Sequence, residues 1–329
     1  MTTDESKPVL SALHYAESDK LGPLGAKLSA LYEPAHLRKT LIREFNESVT
    51  RAREAAGSVE QSATTAVHDV RKALRRARAV LAMITPALPK NEARAVRRAL
   101  RDARRSLSTA RDHAVAPETF ASLTLSDEDR ATGRRVLDNA AAALPPVAEL
   151  KQLLSDSAAR AAAQVDALEA ALPQEIAWSD VVKGVRDTYD EGRDAHSRSK
   201  KSKQWFHTWR RRSKELVYQL DTLADHAGQR VSAIRDEISA VVDWQSPAVD
   251  LVMLREFVSA YDQGIPNNAI GHLKETIDNQ LEDLMKQARV AGMEAFDAKA
   301  RRFGKRLAKA AKRDLTPPDD ADSTNDIGD

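Results

Sequence analysis

An all-α fold follows from three features of the sequence. Hydrophobic residues make up 42% of the 329 residues while aromatics supply only 5%, so Ala and Leu carry the apolar content and favour helix over strand. Gly is scarce, 12 in the whole chain, which argues against a fold rich in hairpins. Apolar residues recur at helical spacing, and no stretch alternates with period two.

The helices can be placed in order from that periodicity and from the residues that interrupt it. Residues 1–28 lack it and are set apart as an N-terminal extension. A first helix is expected over His36–Ala56, and a second over Ser62–Ile84, ended by Pro86 and Pro89. The third runs from Asn91, its cap, to His113. Pro117 and the Ser126-Asp-Glu-Asp stretch bound the next, which reaches Leu144, and another spans Val147–Leu172. Pro173 marks the middle of the chain. The second half repeats the style, with helices over Trp178–Arg193, Ser199–Leu223, Gln229–Asp243, Pro247–Tyr261 and Asn268–Lys312. The last is long and is expected to break near Gly292 or Gly304. The Asp-rich residues 314–329 read as a disordered acidic tail. One domain is therefore expected over 29–313, with halves near 29–172 and 173–313.

The net charge of +2 conceals strong segregation. Thirteen Lys/Arg stand against three acids between His68 and Arg111, nine against one between Arg193 and Lys214, and eight against none between Lys299 and Arg313. Such blocks govern which partners a surface attracts. The chain has no Cys, which excludes disulfides and thiolate metal sites. The polar start Met1-Thr-Thr-Asp-Glu-Ser-Lys7 has no secretory pattern, and no apolar run approaches the ~18 residues of a membrane span. A cytoplasmic protein is the expectation.

Two helices carry the constellation that matters. At about 100° per residue, Arg71, Lys72, Arg75, Arg76 and Arg78 all fall within about 80° of His68. Val70, Ala73, Leu74, Ala77, Leu81 and Ile84 take the opposite, core-facing side. In the second half Arg210, Arg211, Lys214 and Tyr218 cluster in the same way around His207, with Trp209, Leu216, Leu220 and Leu223 opposite. Basic residues recur at +3, +4 and +7 from each His, and the two His are 207 − 68 = 139 residues apart. This internal repeat suggests duplicated halves about a pseudo-two-fold, with the two basic faces meeting across it. A third basic row, Arg94, Arg97, Arg98, Arg101, Arg104, Arg105 and Arg111, lies on one side of its helix. Like charges at these spacings repel, so the row needs acids from a neighbouring helix or a bound polyanion.

The two histidine helices resemble the CHAD family, named for conserved histidines in an α-helical domain. The resemblance rests on Val67-His68-Asp69-x-Arg71 followed by Arg75-Arg76-x-Arg78, and on His207-x-x-Arg210-x-Arg212-x-Lys214-x-Leu216-x-Tyr218. Arg111-Asp112 is similar to the Arg-Asp pair that follows in the first half; the second half shows only Arg235-Asp236, a poor match. The resemblance implies two four-helix-bundle halves around a basic surface or pore, binding of inorganic polyphosphate, and association with polyphosphate granules. Some relatives carry a triphosphate-tunnel domain; no alternating Glu-x-Glu-x-Lys strand stands near this N-terminus, so an enzymatic part is not expected.

Chemistry agrees with that implication. Arg forks match phosphate oxygens, Lys adds a compact charge, and a row of bases gains from a repeating anion by multivalency. The expected polyphosphate ligands are His68, Arg71, Lys72, Arg75, Arg76, Arg78, Arg97, Arg101, Arg104, His207, Arg210, Arg211, Lys214 and Tyr218. Tyr218 reads equally as a core residue with a wet hydroxyl, and the Arg row as a salt-bridge layer. No metal site or cofactor is expected, because arginines beside the two His repel a cation. There is no Gly-rich phosphate loop, carboxylate cluster or nucleophile–base pair, so a binding protein is expected rather than an enzyme. The competing readings are a nucleic-acid binder, for which aromatics are few and motifs lacking, and a granule scaffold that meets a protein's acidic surface.

Overall fold

The computed structural model of the protein describes residues 34–227 and 229–314; the expected N-terminal extension and the tail beyond Asp314 lie outside them. All regular structure among the described residues is helical, with no strand. In chain order the helices are α1 (Pro34–Gly57), α2 (Ala63–Ile84), α3 (Lys90–Ser106), α4 (Ser108–Ser122), α5 (Asp127–Ala142), α6 (Val147–Ala162) and α7 (Val165–Ala171). The second half adds α8 (Trp178–Arg198), α9 (Lys203–Ala227), α10 (Gln229–Ala260), α11 (Asn267–Ala295) and α12 (Ala300–Asp314). A 3₁₀ turn, Thr85–Ala87, follows α2.

Local chemistry sets the starts. The Ser62 hydroxyl accepts from the Thr65 N–H to cap α2, and Ser126 does the same for Asp129 at the head of α5. Asp127, Glu128 and Asp129 then place negative charge in the first turn of α5, where the helix dipole favours it. Pro89, Pro146 and Pro266 precede α3, α6 and α11, with φ between −53° and −57°.

The apolar faces read from the sequence are buried. Val70, Ala73, Leu74, Ala77, Leu81 and Ile84 of α2 are in the core, as are Trp209, Leu216, Leu220 and Leu223 of α9. These two helices pack on each other, and α2 also meets α1, α3, α4, α6 and α8. The backbones of α8 and α2 touch at Gly184, where any Cβ would run into the carbonyls of Ala82 and Met83.

The breaks are where the sequence reading needs correction. The helix expected over Asn91–His113 is interrupted at Leu107, and α4 then runs through Pro117 to Ser122. Likewise α10 is one helix through Pro247, where two were expected. Proline deletes one backbone bond, but its φ suits a helix. Buried neighbours on either side (Ala116, Thr119 and Phe120; Val241, Val242, Ala248 and Val249) hold both helices straight on through it. The segment Val147–Leu172 divides at Ala163–Gln164, a turn with neither Gly nor Pro to mark it. The long C-terminal helix breaks after Ala295, just beyond Gly292, and α9 starts at Lys203 rather than Ser199.

Some elements coincide at the 139-residue offset, while α6, which becomes 286–301, does not. Shifted by it, α2 becomes 202–223 against α9 at 203–227. The α3–α4 pair, 90–122, becomes 229–261 against α10 at 229–260. Buried Leu168 of α7 maps to buried Leu307 of α12, since 307 − 139 = 168.

Candidate functional site

The basic faces of α2 and α9 meet, and α3, α4 and α10 close the sides of the basin between them. The basin has a volume of about 250 Å³. Nine Lys/Arg line it: Arg71, Arg75 and Arg78 from α2; Arg104 and Arg105 from α3; Arg111 from α4; Arg210, Arg211 and Lys214 from α9. Against them stand two carboxylates, Asp112 and Glu215, with His207, Ser108, Tyr218, Val249 and Met253 completing the wall. A wider chamber of about 810 Å³ adjoins it, sharing Arg71, Arg75, Arg111, Arg210, Lys214 and Tyr218 and adding His68, Lys72, Asp250 and Gln280.

Several of the bases are held in place by protein contacts. Arg71 is only 7% exposed, and its Nη1 donates to the carbonyl oxygens of Arg104 at 3.2 Å and Leu107 at 3.1 Å. Those carbonyls also accept from the Leu107 and Arg111 N–H groups, so Arg71 reinforces the end of α3 with a charged donor from another helix. Arg111 donates to Asp112 at 3.1 Å and to Asp250 of α10 at 2.5 Å. Asp250 is the residue 139 positions on from Arg111, so Asp250-Leu251 stands where the first half has Arg111-Asp112, and the Arg-Asp pair is not repeated. Glu215 pairs with Arg212 at 2.5 Å and faces Arg78 at 3.8 Å, while Arg212 also pairs with Glu191. The ring of Tyr218, nearly buried, lies 5.6 Å from Lys214 Nζ and 5.9 Å from the Arg76 guanidinium.

The cluster is electrostatically costly when empty of anions. Burial, then the charges of Arg75, Arg104 and Arg111, pull the Arg71 guanidinium down to about 9. Burial with Arg78, Arg75 and Arg211 brings Arg104 to about 10, and burial with Arg75 brings Arg210 to about 10. Arg75, Arg211 and Lys214 move the same way, burial being the first cause for each. All stay charged at neutral pH, so the shifts express repulsion and lost hydration. The buried Nε–H groups of Arg104 and Arg210 find no acceptor among the described residues. His207 falls to about 4, through burial and then the charges of Arg210, Arg211, Arg104 and Arg111. It is neutral in the free protein at pH 7.

The sequence-derived candidates separate into groups. Arg75, Arg78, Arg104, His207, Arg210, Arg211, Lys214 and Tyr218 come together at the basin, while exposed His68 and Lys72 line the outer chamber. The two His differ in setting: His68 is exposed and His207 is half-buried. Arg71 borders both spaces, and its Nη1 is engaged with backbone carbonyls. Arg76 lies on the Tyr218 ring. Arg97 turns to Thr85 Oγ1 in a different cavity, and Arg101 pairs with Asp102 on the surface, so neither joins the basin. Their placement by helical angle fails because the α3–α4 break points only the last turn of α3 inward. Arg105 and Arg111, absent from the expected ligands, do line the basin. The Arg row and the Arg111-Asp112 motif were the signals available for them.

Among the described residues there is no group of three or more His, Cys, Asp or Glu side chains suited to a metal ion, and no helix long and apolar enough to cross a membrane. The family model described as the CHAD domain matches residues 41–259, which include both histidine helices and every residue of the basin. No curated protein matches the chain.

Proposed function

The chain belongs to the CHAD family, and we propose that it binds inorganic polyphosphate in the basin between α2 and α9, acting as a binding protein rather than an enzyme. The observation that carries this reading is nine Lys/Arg facing two carboxylates around about 250 Å³, with burial and mutual repulsion opposing their charge. A fold spends stability to keep such a cluster together, and a chain of phosphates relieves the repulsion on binding. Each bound unit repeats the last, so the outer chamber with His68 and Lys72 extends the same recognition without reading a sequence. Association with polyphosphate granules in the cytoplasm follows as the cellular setting of this activity.

Charge reversal tests the location. The variant R75E/K214E places an acid on α2 and another on α9, at two residues shared by the basin and the outer chamber. We expect it to lose polyphosphate binding while its far-UV circular dichroism stays helical. Binding at wild-type affinity by this folded variant would refute the site.

A further inference from the structure

A second groove, of about 680 Å³, lies along α12 and shares no lining residue with the basin or its outer chamber. Its floor includes Tyr189, whose hydroxyl is occupied with the carbonyls of Ala295 and Ala298. Arg302, Lys305, Arg306 and Lys309 stand along one side at spacings of three, four and seven, a ladder about 10 Å long at 1.5 Å per residue. Arg306 is neutralised by Glu237. Arg302, Lys305 and Lys309 are exposed and make no ion pair with any described residue. Arg230 contributes from the start of α10, and Glu294 and Asp297 at the α11–α12 turn are the groove's acids.

The 139-residue offset gives a comparison of sequence positions for these bases, although Ala163 falls in the α6–α7 turn and α7 has only 7 residues. With Leu307 on Leu168, positions 302, 305, 306 and 309 map to Ala163, Asp166, Ala167 and Ala170. The first half thus keeps the packing leucine with no base at any of the four places. Arg302, Lys305 and Lys309 are exposed, so burial in the core does not account for the ladder. It also lies outside the residues the family model matches.

We infer that the α12 groove is a second anion-binding site, which takes a short run of linked phosphates independently of the basin. This rests on the polyphosphate reading for the class of ligand. A ladder of two Lys and two Arg at one-turn spacing suits a flexible repeating anion better than a compact one. Two separate sites on one molecule let a long chain bind both with gain in avidity.

The test is calorimetric titration of the full chain with inorganic tripolyphosphate, too short to bridge the sites. The wild type is expected to bind two equivalents, R302A/K305A/K309A one, and R75E/K214E one. All three substituted α12 residues are exposed, so the variant keeps the core intact, and circular dichroism verifies it. A wild type that binds one equivalent, lost in R75E/K214E but kept in the α12 variant, overturns the second site and leaves the polyphosphate reading standing. Loss of both equivalents in R75E/K214E also overturns independence. One equivalent in the wild type but two in D319N/D320N/D322N would mean that the chain's own carboxylates hold the groove, which contradicts phosphate as its occupant.

Discussion

At the scale of single residues, the two histidines of the repeated motif have diverged in setting. His207 titrates far below its ordinary value because it is buried among Arg104, Arg111, Arg210 and Arg211. The unfolded chain therefore holds the extra proton between about pH 6.5 and about pH 4, so this group's contribution to stability is present above 6.5 and lost as pH falls through that window. A bound polyanion reverses the local field and raises the same pKa. Polyphosphate binding should accordingly tighten as pH drops from 7.5 to 5.5 and take up protons. Titrations in buffers of different ionisation enthalpy measure the uptake, and H207N should flatten it. Arg71 presents the opposite case, a motif residue whose first task is structural. Its loss in R71A removes the charged donor that the Arg104 and Leu107 carbonyls share with the Leu107 and Arg111 N–H groups. Charged hydrogen bonds contribute about 1.5–3 kcal/mol each, and relief of the repulsion from Arg75, Arg104 and Arg111 offsets part of that. A net loss of about 2 kcal/mol in urea unfolding is expected, and none would contradict the capping role.

At the scale of elements, the apolar faces of α2 and α9 were readable because one period decides which side is buried, and Val70, Leu74, Leu81, Trp209, Leu216 and Leu220 all obey it. The break at Leu107 was not readable, because the donor that stabilises it sits on α2, 36 residues earlier. Pro117 and Pro247 misled for a related reason: burial of their neighbours outweighs one missing backbone bond. Long-range locks of this kind also join α5 to α11. The buried Asp129 carboxylate takes His272 Nδ1 at 2.8 Å and Thr276 Oγ1 at 2.9 Å. Burial alone would raise its pKa; hydrogen bonds from His272, Thr276 and Ser126 outweigh that and lower it, while the hydrogen bond to Asp129 raises His272. The Asp129 contribution is thus present above the ordinary carboxylate range and lost as acid protonates it, and the His272 contribution fades as pH rises past its raised value. D129A should cost about 1–3 kcal/mol and speed amide exchange at the start of α5, where Ser126 and Asp129 form the cap. A quite different contact joins α8 to α2: G184A should destabilise by about 1–3 kcal/mol or more in thermal melts, because backbone rather than a movable side chain meets the added methyl.

Across the whole molecule, the 139-residue spacing of the two His motifs made the pair of basic helices visible in advance. It did not show which bases converge. Arg97 and Arg101 share a helical side with Arg104, yet only Arg104 enters the basin, since only the end of α3 is drawn inward beside Arg71. The Arg111-Asp112 pair has no repeat at Asp250-Leu251; the Arg111–Asp250 bond instead ties the two segments together. The central claim is that this basin is a phosphate-chain site and not merely a basic surface. Its most direct test is calorimetric titration with long-chain polyphosphate at two salt concentrations, with duplex DNA as competitor. Basins that enclose their anion should bind polyphosphate in a way that DNA at matched charge does not displace, at both salts. Equal displacement by DNA, or no binding, would contradict the account.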